Sequence, residues 1–225
     1  ACSSSKKTTK TNEPVTMAEP AIDLDTIKVL AEEPPKKKIY QATNTKSNDI
    51  IHTKLWVSFD WQKSQLIGKA ELLIKPYFYP TSMLYLNARG MEIKSVSIAK
   101  ISVTQATGTN KGKKTPVYIE NAVPQESSYI YEHDSLKIDL KTIYTKDDKY
   151  TVTIEYIAKP NELKEGGSGA ISSDKGLYFI NPTGVDPDKM PQIWTQGETQ
   201  SNSVWFPTND NPTEKMTNEI YMTVD

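Results

Sequence analysis

From Asp49 onward, apolar and polar residues alternate with a period of two, the spacing of a strand with one face buried. In Ile51–Phe59 one face carries Ile51, Leu55, Val57 and Phe59, and the other carries His52, Lys54, Trp56 and Ser58. Gln62-Lys63-Ser64 predicts a turn, and Leu66–Pro80 returns as a long strand to close a first hairpin. Further strands are expected at Met83–Asn87, Ile93–Val103, Val117–Glu120, Leu136–Leu140 and Tyr150–Ala158. The last alternates Val152, Ile154, Tyr156 and Ala158 against Thr151, Thr153, Glu155 and Ile157. Leu177–Ile180, Gln192–Gln196, Val204–Phe206 and Glu219–Val224 complete the set, and Gly108–Lys114 and Glu165–Gly169 predict loops. Many short strands separated by turn signals predict an all-β sandwich or curved double sheet.

Residues 1–48 lack this period. They hold eight lysines, six acids, four prolines and a single aromatic, Tyr40. Such a composition has little to bury and predicts a disordered tail. Ile22–Ala31, with Ile27, Leu30 and Ala31 on one helical face, predicts at most a short helix ended by Pro34-Pro35. A coil of this length reaches roughly 40 Å, so the expected division is a flexible tether, 1–48, and a β domain, 49–225. The junction Ala1-Cys2, followed by serines, resembles the processed start of a bacterial lipoprotein. That reading makes Cys2 a lipidation site and places the chain in the cell envelope, anchored to a membrane. The alternative is a free thiol at a frayed end.

Composition removes other possibilities. The chain has 225 residues, 27 basic and 28 acidic groups, and a formal net charge of −1. A nucleic-acid partner is not expected at that balance. Arg89 is the only arginine, which argues against bidentate guanidinium clamps. Two histidines, His52 and His133, and one cysteine leave little for a metal site or a disulfide framework. Glu132-His133-Asp134 reads as a polar hairpin turn, because neighbours in a strand point to opposite faces. Lys111, Lys113 and Lys114 read as a solubilising loop tip. The last quarter is acidic: residues 161–225 hold four basic and ten acidic groups. It could attract a cationic substrate end, or simply form a solvated surface.

One segment carries chemistry: Ile193-Trp194-Thr195-Gln196-Gly197-Glu198, followed by Trp205-Phe206-Pro207-Thr208-Asn209-Asp210-Asn211-Pro212. In an extended chain, residues two apart face the same side, so an amide and a carboxylate would share one space. Gly197 between them allows close backbone approach. A carboxylate and a carboxamide oxygen are the acceptors that a peptide's terminal ammonium needs, whereas a loop glutamate exposed to solvent is the plainer alternative. Trp205-Phe206-Pro207 reads as a buried aromatic cluster before a turn.

This segment resembles the Gln-x-Glu triplet and the aromatic-Phe-Pro-x-x-Asp-x-Pro signature of the zinc aminopeptidases that include aminopeptidase N and leukotriene hydrolase (peptidase family M-one, gluzincins). The likeness extends through Ile51–Leu55, Leu66-Ile67-Gly68, Leu84–Asn87, Tyr150–Pro160 and Lys175–Phe179, and is greatest to bacterial lipoprotein members. Thr208, Asn211 and Val204 depart from several relatives at positions that read as structural. The resemblance implies a saddle-shaped β domain packed on a separate zinc-bearing catalytic domain. It also implies that Gln196, Gly197 and Glu198 help to bind peptide substrates through their free N-terminus. The sequence contains neither H-E-x-x-H nor Gly-x-Met-Glu-Asn. No catalytic or metal-binding residue is therefore expected here; the catalytic domain and its zinc are expected after Asp225. The rival expectation is a non-catalytic interaction module of a surface lipoprotein, or a catalytically dead family member.

Overall fold

In the computed structural model, residues 45–104, 117–120, 122–163 and 175–224 are described. Cys2, Ile22–Ala31 and the loops expected at 108–114 and 165–169 lie outside the described residues.

Period-two alternation places β1 (Asn48–Asp60) against β2 (Gln65–Pro76) as an antiparallel hairpin. The turn is closed by Ser64 in the left-handed region (φ 53°), and the Asp60 carboxylate accepts the Lys63 amide at 3.0 Å. β9 (Lys149–Ala158) lies on the other side of β2, and β4 (Met91–Thr104) follows β9. Two short strands, β5 (Val117–Glu120) and β6 (Gln125–Glu126), both pair with β4. The chain's last strand, β12 (Thr217–Met222), runs parallel to β1 at the opposite edge, completing a seven-stranded sheet. A second layer of three strands, β3 (Thr81–Asn87), β8 (Ser135–Tyr144) and β7 (Tyr129–Glu132), has the order β3-β8-β7. Leu84, Leu86, Leu136, Ile138 and Leu140 of this layer join Ile50, Leu72, Ile74, Val152 and Ile154 of the large sheet in one buried cluster. The molecule is thus a β-sandwich, with no α-helix among the described residues.

Several elements differ from the sequence reading. A bulge between Ile50 and His52 shifts the register, so Ile50 and Thr53 point inward and Ile51 does not. β2 stops at Pro76, four residues early: one last rung of the β1–β2 ladder follows, the Tyr77 amide donating to the Ser47 carbonyl at 2.9 Å, and the chain then bends through Tyr77–Tyr79. β6 and β7 were not expected, since β6 is two residues long and β7, four residues long, turns only Tyr131 toward the core, too little to show alternation. Val204–Phe206 is not a strand: Asn202–Val204 forms a single 3-10 turn, where short polar side chains bond locally. By contrast, Glu132-His133-Asp134 is the β7–β8 turn, with His133 at φ 55°.

β1 begins at Asn48, whose buried amide oxygen accepts the Tyr150 hydroxyl at 2.8 Å. Lys46 bonds Asp49 (2.6 Å) and Glu214 (3.1 Å). Burial would lower the Lys46 pKa, but these two carboxylates outweigh it and hold the ammonium charged.

Candidate substrate-binding loop

β10 (Leu177–Ile180) and β11 (Gln192–Thr195) form a small antiparallel pair in which Tyr178 stacks on Trp194, centroids 4.3 Å apart. This pair leads into the loop that holds the Gln196-Gly197-Glu198 triplet. Gly176, just before β10, has φ +64° and accepts the Gln196 amide at 2.9 Å. A Cβ there would collide with the Ser201 carbonyl, so the position requires glycine.

β11 ends at Thr195, one residue before the triplet, which corrects the extended geometry expected for Gln196–Glu198. Glu198 instead opens a turn, closed by the Ser201 amide donating to the Gly197 carbonyl at 3.0 Å. Gln196 and Gly197 are half-buried and Glu198 is exposed. The close backbone approach expected at Gly197 is not what the structure shows: a Cβ would sit 2.6 Å from Asn202 Nδ2 and 2.7 Å from its Cγ. The Asn202 side chain, not a distant backbone, occupies that space.

The loop is braced from below. The Asp210 carboxylate accepts the Ser203 amide at 2.8 Å, which gives Asp210 a structural task. Thr208 and Asn87 exchange backbone hydrogen bonds (2.7 and 3.0 Å), and the Asn87 side chain accepts the Asp210 amide. Arg89 donates its backbone amide to the Ser203 carbonyl at 2.7 Å and its guanidinium to the Gln200 carbonyl at 3.4 Å. Asn87, Arg89, Asp134, Gln200, Ser203 and Asp210 line a polar cleft of about 320 Å³ beside Thr199. The sequence marked Arg89 only by its uniqueness, because its loop partners are more than a hundred residues away.

Trp205 and Phe206 pack edge to face at 4.4 Å, and Phe206, Pro207, Thr208 and Val204 are buried, as the aromatic-cluster reading expected. On the other side of the triplet lies an apolar groove of about 550 Å³. Its walls include Phe59, Trp61, Ile193, Trp194, Trp205 and Met222, and the Trp205 indole N–H is buried there with no acceptor among the described residues. Trp194, Ile220 and Met222 are 45%, 49% and 59% exposed, so the groove is an apolar surface open to solvent.

His52 has a structural role, with Nδ1 2.6 Å from Thr217 Oγ1 and Nε2 3.4 Å from Glu219 on the neighbouring β12. No three His, Cys, Asp or Glu side chains among the described residues come together as metal ligands.

The fold and loop define a β-sandwich domain with a braced, partly polar loop beside an uncovered apolar groove. Residues 37–225 match the Peptidase M1 N-terminal domain, and the chain belongs to that family. Its fold is similar to that of a two-domain M1 zinc metallopeptidase variant bound to L-arginine (TM-score 0.57, 13% identity, covering 82% of this chain and 34% of that one). It is similar also to an M1 zinc metallopeptidase from Deinococcus radiodurans (TM-score 0.56, 14% identity, 79% and 32%). Leukotriene A4 hydrolase from Saccharomyces cerevisiae shares the fold as well (TM-score 0.53, 16% identity, 86% and 27%). At these identities the likeness is one of fold. The chain spans about a third or less of the length of these structures. No curated protein matches it by sequence.

Proposed function

We propose that this chain is the N-terminal domain of a bacterial zinc metalloaminopeptidase, which supports a catalytic domain and helps to hold the free N-terminus of peptide substrates. The observation that carries this reading is the adjacency of the Gln196-Gly197-Glu198 loop and an open apolar groove in an M1 N-terminal domain. The groove is of a kind that another domain covers, and Trp194 and Thr195, which directly precede the triplet in the chain, line it. In this reading Glu198 offers a charged acceptor to the substrate's α-ammonium and Gln196 offers a carboxamide oxygen. The described residues do not fit a zinc site, so the metal and the bond-breaking chemistry belong to the catalytic domain, and these residues only bind and orient. Retention at the cell envelope through a lipid on Cys2 belongs to the same proposal.

The test is steady-state kinetics of the full-length enzyme on free and N-acetylated peptides. A charged hydrogen bond is worth about 1.5–3 kcal/mol, so Glu198→Ala should lower kcat/KM roughly 10- to 150-fold for the free amine. Gln196→Ala should cost less. Equal losses on both substrates, or none, would remove amine recognition from Glu198. For the anchor, Cys2→Ala in cells should move the protein out of the membrane fraction; an unchanged distribution refutes the lipid.

A further inference from the structure

The β2–β3 connection takes no part in the loop described above, yet among the described residues it holds the most concentrated exposed aromatic surface. Tyr77, Phe78 and Tyr79 are 41%, 67% and 79% exposed, and they stand in succession between Pro76 and Pro80. The base of this tip is fixed. The Tyr77 amide bonds the Ser47 carbonyl, the Tyr77 ring packs edge-on against Phe78 at 4.3 Å, and the Lys46 ammonium lies 5.1 Å over the Tyr77 ring. The flanking prolines restrict the backbone further, so little conformational freedom remains to be lost when the tip is buried. Nearby, Ile143 is 69% exposed and precedes Tyr144, the partner of Thr81.

A water-facing domain does not ordinarily display three consecutive aromatics on a held loop. The occupant must suit a convex tip rather than a groove. A phospholipid bilayer does: tyrosine's apolar ring and polar hydroxyl match the headgroup boundary, and a phenylalanine between two tyrosines can pass deeper. The surroundings complement it. Lys146, in the adjoining β8–β9 turn, is the cation placed to meet lipid phosphates, whereas Lys75, which precedes the tip, pairs with Asp49 at 3.6 Å and Lys141 donates to the Glu126 carbonyl. The chain also enters the fold here: residues 1–44 join at Thr45, two residues before the Ser47 carbonyl that holds Tyr77. We infer that the Tyr77–Tyr79 tip is a membrane-docking element that inserts into the headgroup region of a bilayer. This goes beyond the substrate-binding role and requires no lipid on Cys2.

The test uses the 225-residue chain carrying Cys2→Ser in every arm, so that no acyl chain contributes. Its partition onto large vesicles of phosphatidylcholine, with and without phosphatidylglycerol, is read by co-sedimentation. Binding to either composition supports the inference, provided that Tyr77→Ser/Phe78→Ser/Tyr79→Ser lowers the partition coefficient roughly 10- to 100-fold, the range for withdrawing one large apolar side chain from water. Ile67→Ser, which removes an equally accessible apolar residue (50% exposed) from the outer sheet face, should leave partition unchanged. Phe78→Trp should show a blue-shifted emission on vesicle addition, a readout that does not depend on a destabilised variant. Three results would overturn the inference: no partition of the parent chain, equal partition of the triple variant, or no shift for Phe78→Trp. Tip-dependent self-association of the parent chain in sedimentation velocity, without vesicle binding, would assign the surface to a second copy instead.

Discussion

The Tyr156 hydroxyl donates to the Trp205 carbonyl at 3.0 Å, joining the centre of the large sheet to the aromatic cluster beneath the triplet loop. Tyr156 is buried, and burial pushes its phenol well above the usual range, so it is a neutral donor at every physiological pH. The facing residue is Gly68, where a Cβ would collide with the Tyr156 ring and its hydroxyl. Gly68 makes the room in which Tyr156 can reach across.

Two substitutions test this. Tyr156→Phe should cost about 1 kcal/mol of stability by leaving the Trp205 carbonyl without its donor. Gly68→Ala should cost roughly 1–3 kcal/mol by overpacking the tyrosine. Because the new methyl group would press on the hydroxyl as well as the ring, the double variant should cost less than the sum of the two. Urea denaturation of the four proteins measures the coupling; strict additivity would mean that the two residues do not share the space.

Glu214 is a second anchor of the same region. Its side chain is 2% exposed; Oε1 accepts the Ile50 amide and pairs with Lys46, both at 3.1 Å, and Oε2 accepts Asn209 Nδ2 at 2.6 Å. Removing this carboxylate strands the Ile50 and Asn209 donors and leaves Lys46 to Asp49 alone, at the point where β1, the 205–212 segment and the approach to β12 meet. Glu214→Ala should destabilise the domain by about 2–4 kcal/mol, as for two buried donors left without their acceptor. Glu214→Gln should cost less, since one acceptor oxygen remains. Chemical denaturation of both variants discriminates the ion pair from mere packing.

Acid sensitivity should have a component from the β8–β9 turn. Asp148 accepts the Thr145 amide and hydroxyl, each at 2.8 Å, and lies 3.3 Å from Lys100. The Thr145 backbone bond, then its hydroxyl, hold the Asp148 carboxyl below its ordinary value against the opposing effect of burial. A carboxyl depressed in the folded state adds stability above its unfolded pKa of about 3.9 and loses it as pH falls through the folded value. Asp148→Asn should therefore lower stability by about 1 kcal/mol near neutrality, with the gap from wild type closing below the ordinary carboxylate range. Melting both proteins from neutral to acid pH checks the sign; a gap that widens with acid would refute it.

Gly197 offers a test of loop geometry that leaves both proposed binding side chains in place. Gly197→Ala should press on the Asn202 amide and misplace Gln196 and Glu198. In the proposed full-length aminopeptidase, kcat/KM for free-amine peptides should fall roughly 10-fold or more, since small displacements of positioning groups carry large kinetic costs. Asn202→Ala in the same chain should recover much of the loss by emptying the space. Failure of that rescue would place the origin of the defect in the backbone.

Much of the architecture follows from local pattern. The period of two after Asp49 locates most of the strands, because a half-buried strand must alternate whatever its partners are. β9 is the plainest example: Val152, Ile154, Tyr156 and Ala158 are all buried, and Thr153 and Ile157 are not. The Trp205-Phe206-Pro207 cluster and the Glu132-His133-Asp134 turn were equally legible, since aromatic and turn chemistry act over a few residues. The sequence alone also carried the family, through motifs whose residue types and spacing lie within short segments.

Tertiary structure decided what depends on residues far apart in the chain. The bulge that exchanges Ile51 for Ile50 is a compromise between β1 and β2, invisible in either strand alone. The short strands β6 and β7 exist because β4 and β8 offer backbone groups to pair with. The 3-10 turn at Asn202–Val204 replaces an expected strand because the Asp210 carboxylate reaches back to the Ser203 amide and Arg89 meets Ser203 and Gln200 from another layer. The binding chemistry proposed for Gln196 and Glu198 rests on residue types, whereas their geometry depends on contacts outside the triplet. The chain leaves β11 at Thr195, and the Gln196 amide then bonds the Gly176 carbonyl, a contact that forms only when β10 and β11 pair.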